Sequence, residues 1–255
     1  MQQSEELDEE LLKTYTENFL GYGSHASPYW FVGIEEGGGR SPGEVRCRLT
    51  TWHSRGEREL ENLAEFSMSI GQSQWFGDDA KIQPTWGKYV WAIIRATGRI
   101  PNKETVRHYQ ASDLGRPERA ETCLMNLFPL ASPRLKLWLL KDQSRVPWIL
   151  SRPAYMEYHG PKRAKKIGDY VRKCKPRSVV LASMGARCRE HWRTIAGVEL
   201  RSHSLAGRPC YVGRNDSTVF VVSQNPTSPG ATNEYFQAIG EYIATHSIRH
   251  EMGAV

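Results

Sequence analysis

The sequence predicts an α/β fold, a single domain in which helices cover both faces of a mainly parallel central sheet to give three layers. Short stretches rich in β-branched and aromatic residues alternate with longer stretches whose apolar residues recur at helical spacing. The length of 255 residues suits one large α/β domain, and no internal repeat is visible. We therefore expect one domain over residues 1–255.

Each predicted element follows from its apolar spacing or from the residues that flank it. A helix over 4–20 has acids in its first turn, an apolar stripe and Gly21 as a stop. The stretch "PYWFVGI" is apolar throughout, which predicts a strand buried on both faces. The later elements are helices over 55–70 and 85–97, a strand at "TCLMNLFPL" ending near Asn126, a basic helix over 162–174, a strand at "RSVVLAS", a helix over 185–196, a hairpin or tight connection at "RND" between "RPCYVG" and "TVFVVS", and a helix over 232–246. Residues 37–54 and 71–84 show no periodicity, so we expect loops there.

The composition is that of a soluble globular protein, with 39% hydrophobic residues, 10% aromatic residues and a mean hydropathy of -0.56. No stretch approaches the roughly 18 apolar residues that a membrane span needs. The acidic N-terminus "MQQSEELDEELL" does not resemble a signal peptide. These features predict a cytoplasmic protein without a membrane partner.

The cysteines predict neither disulfides nor a metal site. There are five of them, scattered and without a CxxC pair, so reduced thiols are expected. Cys188 and His191 have a spacing that zinc could use, but a single pair of this kind is usually chance. We predict no metal and no cofactor.

Basic residues are concentrated in one part of the chain. The net charge is +6, and residues 161–177 carry eight basic residues and one acid, Asp169. Such a run indicates either a solvated helix face or a surface for a polyanion, and the sequence leaves both open. Further basic residues precede it: Arg134, Lys136, Lys141, Arg145 and Arg152.

Polar residues follow three of the predicted strands. Glu35 and Glu36 come directly after the first strand and precede the glycines 37–39, Asn126 marks the end of the second, and "SQNPTSPG" follows the last. Because the carboxyl ends of parallel strands meet at one edge of a sheet, we expect these segments to converge on one crevice.

The three segments "GIEEG" (33–37), "MNLFP" (125–129) and "NPTSPG" (225–230) resemble signature segments of the uracil-DNA glycosylase superfamily. The mismatch-specific uracil/thymine branch is the most similar. The segment "KPRSVVLASMGARC" is also similar to the helix, proline, strand and glycine-alanine turn of that superfamily. The resemblance spans about residues 29–243 and implies a uracil-DNA glycosylase-like fold.

The resemblance also implies roles for individual residues. Cleavage of an N-glycosidic bond builds positive charge on the sugar, and Glu35 would position the attacking water and stabilise that charge. Asn126 would hydrogen-bond the edge of the extruded base, since an amide both donates and accepts. Asn225 would contact the leaving base or the water. Other contacts are implied with the base by Gly33, Ile34 and Gly37, and with the flanking phosphate by Pro226, Thr227 and Ser228.

The segment that holds Glu36 and the glycines 37–39 needs two further comments. Glu36 replaces a proline, and we interpret it as a helix cap or a solvated side chain rather than half of a cation site. The glycines 37–39 let the backbone approach DNA, which we favour over a turn that needs positive φ.

The resulting functional prediction is a monofunctional DNA glycosylase, a hydrolase that flips a base out of DNA and leaves an abasic site. Its favoured substrate is a modified cytosine, such as glucosylated 5-hydroxymethylcytosine in phage DNA. DNA is the expected partner, contacted also by Lys162, Arg163, Lys165 and Lys166, and no obligatory protein partner is inferred. The alternatives are a uracil or mismatch repair glycosylase, a DNA-binding module without chemistry and a hydrolase of small nucleosides.

Overall fold

The structure is a computed structural model, and it describes residues 6–77, 79–133 and 137–247. One eight-stranded sheet runs through the described residues in the order β3-β1-β4-β2-β5-β8-β7-β6. Its strands are β1 (Gly21–Gly23), β2 (Tyr29–Glu35), β3 (Leu60–Glu61), β4 (Thr122–Phe128), β5 (Ser178–Ala182), β6 (Arg201–Leu205), β7 (Arg208–Arg214) and β8 (Val219–Ser223).

The four central strands β4, β2, β5 and β8 are parallel. On one side β1 pairs antiparallel with β4, and on the other β7 pairs antiparallel with both β8 and β6. The sheet is therefore mixed, with a parallel centre between antiparallel flanks. The central strands are apolar because helices cover them from both sides.

The described helices are α1 (Glu9–Asn18), α2 (Pro42–Ser54), α3 (Leu63–Ser69), α4 (Pro84–Ala96), α5 (Lys103–Ser112), α6 (Arg152–Cys174), α7 (Arg189–Ala196) and α8 (Asn233–Ser247). Neighbouring side chains on β2 show that helices lie on both faces, because successive strand residues point to opposite sides. The ring of Phe31 stacks on Tyr89 of α4 at 4.5 Å. On the other face Trp30 contacts His25, which stacks on Tyr170 of α6.

Several predicted boundaries are wrong for identifiable reasons. The predicted loop over 37–54 contains α2, which begins with Ser41 as its N-cap and Pro42 in its first turn. The predicted helix over 55–70 is β3 followed by α3. Helix α6 begins at Arg152, ten residues before its predicted start, and continues through Pro161.

Other predictions need smaller changes. Helix α1 covers Glu9–Asn18, and residues 4 and 5 of the predicted first helix lie outside the described residues. Asn126 lies inside β4 rather than at its end. The hairpin of β7 and β8 is confirmed. Strand β6 and helix α5 had no prediction, and α5 begins with a capping box at Asn102. In the described part of the chain, no helix combines the length and apolarity of a membrane span.

Candidate active site

The carboxyl ends of β4, β2, β5 and β8 form one edge of the sheet, because these strands are parallel neighbours. The chain runs from β2 to β4 on one side and then to β5 on the other, so its direction along the sheet changes at β2. Ligands of open α/β sheets bind beyond the carboxyl ends at such a switch point. Glu35 lies there at the end of β2.

Glu35 is a buried carboxylate held by an arginine. Its side chain is 12% exposed and accepts a hydrogen bond from the guanidinium of Arg152, the first residue of α6. Burial raises the pKa of Glu35, and the charge and hydrogen bond of Arg152 partly offset that rise. The site therefore presents a carboxylate whose proton affinity is tuned by its surroundings, as general bases are.

Arg152 is fixed on three sides. Besides Glu35 it donates to the hydroxyl of Ser132 at 2.8 Å, in the loop after β4, and its guanidinium carbon lies 5.9 Å from the ring centre of Trp138. Sequence reasoning did not assign Arg152 to the site. The signal that could have done so is Ser151 followed by Pro153, an N-cap and a first-turn proline that together place a helix start here.

Glu36 is neither a helix cap nor a solvated side chain, so that interpretation is wrong. Its carboxylate accepts a hydrogen bond from the hydroxyl of Tyr22 at 2.6 Å and forms an ion pair with Arg48 of α2 at 2.9 Å. The N-cap of α2 is Ser41. Glu36 thus ties the loop after β2 to strand β1 and helix α2, while Glu35 is tied to α6.

Asn126 and Gly33 are aligned neighbours on β4 and β2. A Cβ atom at position 33 would lie 2.7 Å from Oδ1 of Asn126, so glycine is needed for the amide to lie across β2. Within the described residues, the Asn126 side-chain amide has no hydrogen-bond partner and is partly exposed. It is therefore available to a ligand. Ile34 packs against the core, so its side chain is not available for such a contact.

Glycine stands at the three positions after Glu36 for different structural reasons. Gly38 and Gly39 have φ values of +110° and +62°, and a Cβ at Gly39 would lie 2.2 Å from the carbonyl oxygen of Ala131. These two positions need glycine for the turn itself, so the preference for an approach to DNA is wrong there. Gly37 has no such constraint and faces open space.

Asn225 lies in the exposed turn after β8, and strand β8 is two strand spacings, or about 10 Å, from β2 across the sheet. Its Oδ1 accepts hydrogen bonds from the backbone N–H and the hydroxyl of Thr227, at 3.0 and 2.8 Å. Its carbonyl accepts from the N–H and the hydroxyl of Ser228. Pro226 is buried beneath the turn. Asn225 thus organises this turn, and its amide nitrogen remains for a ligand.

Cys188 follows β5 near Glu35. Burial raises the pKa of this thiol to about 11, with a contribution from the charge of Glu35. The thiol is therefore protonated at neutral pH and is not a nucleophile. In the described residues, no three His, Cys, Asp or Glu side chains are grouped as a metal site requires.

Arg163 is not available to DNA, and its assignment as a DNA contact is wrong. The side chain is 2% exposed. Its guanidinium group donates to four backbone carbonyl groups, those of Thr16, Phe19, Asn126 and Leu127, at 2.7 to 2.9 Å. Arg163 therefore joins α1 to β4 from within the core.

Four lysines of α6 form a lysine face away from Glu35, defined by Lys162, Lys165, Lys166 and Lys173. Lys162 lies ten residues beyond Arg152, or about 15 Å along the helix. Lys165 pairs with Asp169 at 2.8 Å and Lys166 with Glu59 at 2.6 Å, whereas Lys162 lies 3.7 Å from the ring centre of Tyr158. Of the basic residues upstream, Arg134 and Lys136 lie outside the described residues.

No protein-family model matches this chain, and no match was found among curated proteins. The site joins a buried carboxylate, an arginine that holds it and an amide with no hydrogen-bond partner among the described residues, at the switch point in the parallel centre of the sheet.

Proposed function

We propose that the protein is a DNA glycosylase. It hydrolyses the N-glycosidic bond of a modified or wrong base that has been flipped out of DNA, and it leaves an abasic site. The observation that carries the proposal is the position of Glu35, a buried carboxylate on the strand next to that of Asn126, whose amide has no hydrogen-bond partner in the described part of the chain. The resemblance of the three segments around these residues to uracil-DNA glycosylases supports it.

The reaction needs charges that the site can supply. As the base leaves, positive charge grows on the deoxyribose, and the carboxylate of Glu35 stabilises it and accepts a proton from the attacking water. Arg152 keeps this carboxylate ionised and fixes its direction. The amide of Asn126 hydrogen-bonds the extruded base, and the amide nitrogen of Asn225 stabilises the leaving base from the far side of the crevice.

The favoured substrate is a modified cytosine, with glucosylated 5-hydroxymethylcytosine in phage DNA as the specific candidate. The reason is open space two residues after Glu35: apart from the chain neighbours of Gly37, no atom of the described residues lies within 4 Å of a Cβ placed there. A bulky substituent on a flipped base needs such an opening. Uracil, which needs less room, is the alternative substrate.

DNA outside the flipped nucleotide is held by the lysine face. Its separation of about 15 Å from Arg152 corresponds to four or five base steps at roughly 3.4 Å each. Lys162, Lys165 and Lys166 therefore contact phosphates about four or five nucleotides from the flipped one. These lysines contribute to DNA affinity and take no part in breaking the bond.

One observation favours a second candidate, a DNA-binding module without chemistry. The charge of Glu35 is already paired with that of Arg152, and a permanently paired carboxylate would stabilise a sugar cation less well. The two candidates differ in what happens to DNA after binding.

The deciding experiment compares three end-labelled duplexes, which carry glucosylated 5-hydroxymethylcytosine, uracil or only unmodified bases. Abasic sites are converted to strand breaks by alkali and counted. We expect breaks at the modified cytosine, and a loss of at least about 100-fold in the Glu35→Gln variant, a typical effect of removing an electrostatic catalyst. Binding of the duplex by Glu35→Gln should stay within about twofold of the parent.

A matched control is Glu190→Gln, which removes an exposed carboxylate of α7 at the same edge of the sheet. Its excision rate should equal that of the parent protein. Breaks at uracil alone would move the assignment to the repair alternative. Tight binding without breaks on any duplex would leave only the binding module.

A further inference from the structure

A second cavity lies at the same edge of the sheet, between the loop after β5, helix α7 and strand β7. Trp192, Leu200 and Val222 form its floor. Arg189, Arg193 and Tyr211 form its rim. The cavity has a volume of about 70 Å³ and opens to solvent, so it can enclose part of a ligand while the rest stays at its mouth. Neither Glu35 nor Asn126 lines it.

The floor of this cavity is apolar and well anchored. Tyr211 and Val222 are direct partners in the antiparallel pair of β7 and β8, so both side chains lie on the same face of the sheet. Trp192 is buried, and its ring nitrogen donates to the carbonyl of Ser183 at 2.7 Å. The floor is thus preformed for an apolar or planar group.

The rim carries two exposed cations. Arg189 and Arg193 are one turn apart on α7 and therefore lie on the same side of the helix. Across the described residues, no carboxylate lies within ion-pair distance of either guanidinium group. By contrast, the exposed Arg172 and Arg201 each have a carboxylate partner. The Tyr211 hydroxyl also has no hydrogen-bond partner in the described part of the chain.

We propose that this cavity binds a phosphate monoester of a ring-bearing compound, such as a nucleoside 5′-monophosphate. Two guanidinium groups match the nearly two negative charges of a phosphate monoester, whereas a carboxylate or a phosphodiester carries only one. The apolar floor takes the ring, and the Tyr211 hydroxyl adds a hydrogen bond. The monoester could be a free nucleotide or the 5′-phosphorylated end of a DNA strand, and the proposal does not depend on base excision.

Calorimetric titration of the full chain tests the ligand class. The probes are 2′-deoxycytidine 5′-monophosphate, 2′-deoxycytidine and inorganic phosphate. We expect the monophosphate to bind at least about 30-fold more tightly than either fragment, since it alone uses both rim and floor. Equal binding of the nucleoside, or no saturable binding of the monophosphate at millimolar concentration, would overturn the proposal.

Variants assign the binding to this cavity. The double variant Arg189→Ala/Arg193→Ala should weaken the monophosphate by at least about 30-fold, and Tyr211→Phe by a few-fold. The matched control is Lys103→Ala/Arg107→Ala, which removes two exposed cations four residues apart on α5 and should leave the affinity unchanged. A double variant at the cavity that binds within twofold of the parent would place the ligand elsewhere.

Trinucleotides with and without a 5′-phosphate distinguish the two sources. A phosphorylated trinucleotide that binds more tightly than the free monophosphate supports a DNA end as the ligand, and the opposite order supports a free nucleotide. Glu35→Gln should bind every probe like the parent. Failure of nucleotide binding is therefore seen by calorimetry, whereas failure of base excision is seen as an absence of strand breaks.

Discussion

Helix α6 contributes charge to two regions that use it in opposite ways. At its first residue, Arg152 is buried against Glu35, Ser132 and Trp138, and its charge holds the Glu35 carboxylate in place. On the lysine face the charges point outward, and two of them have surface carboxylate partners. A buried pair fixes geometry because it cannot be solvated, whereas exposed charges attract a partner and remain screened by salt.

Arg163 follows Lys162 on the same helix but is buried, and its substitution gives the largest expected effect. Arg163→Ala removes four hydrogen bonds to buried carbonyl groups. We expect it to lower the free energy of unfolding by about 3 to 5 kcal/mol, as for other broken buried polar networks. Urea denaturation followed by circular dichroism measures the change.

Lys162→Ala is the matched control for Arg163→Ala, because it removes a neighbouring cation that is exposed. Its unfolding free energy should change by less than about 0.5 kcal/mol. Equal effects of the two substitutions would contradict the division of α6 into a buried and an exposed set of charges.

The lysine face should control affinity for DNA without affecting the chemical step. Lys162→Ala/Lys173→Ala removes two exposed charges from the face. The slope of log affinity against log salt should become less steep by about two, and affinity at low salt should fall about tenfold. Fluorescence anisotropy with a labelled duplex measures both quantities.

The same double substitution should leave single-turnover base excision at saturating protein within about twofold of the parent. Lys103→Ala/Arg107→Ala on α5 is the control for the loss of two positive charges. If it flattens the salt dependence as much, the effect comes from net charge and not from the lysine face.

At the carboxyl edge, Gly33→Ala should have a smaller effect that is confined to base recognition. The added Cβ would lie 2.7 Å from Oδ1 of Asn126 and displace the amide. We expect excision to fall about tenfold, equivalent to about one hydrogen bond, while DNA affinity stays unchanged. Gly43→Ala on α2 is the control, since a Cβ there meets only the Ser41 hydroxyl oxygen at 3.6 Å, an ordinary contact, and its rate should equal that of the parent.

The pH dependence of excision tests the protonation of Glu35 at the carboxyl edge and gives the smallest expected effect. Because burial raises the pKa of Glu35, the carboxylate becomes protonated at a higher pH than an ordinary glutamate when the solution is acidified. The single-turnover rate should therefore rise with pH through a midpoint above 4.5, the ordinary value. Arg152→Gln removes the group that opposes this rise, so its midpoint should lie higher still, and a midpoint at or below 4.5 in the parent would contradict the burial of Glu35.

Much of the architecture could be predicted because it depends on local spacing. Helices α4 and α8 and the central strands β2, β4, β5 and β8 follow from apolar runs and periodicity. The boundaries of α2 and α6 could not be read from apolar spacing alone, since both begin at Ser and Pro signals and α6 continues through Pro161. In α6 the packing of its buried side tolerates a residue that breaks most helices.

The sequence by itself determined that a carboxylate stands at the end of β2 and an amide stands on β4. Only the tertiary structure decided that Glu35 pairs with Arg152, that the adjacent Glu36 pairs with Arg48, and that Arg163 is buried while Lys162 is exposed. Local periodicity specifies which residues share a face of a helix or strand. It does not specify which charge from a distant part of the chain meets that face, because such pairs form only when the packed elements exclude water around them.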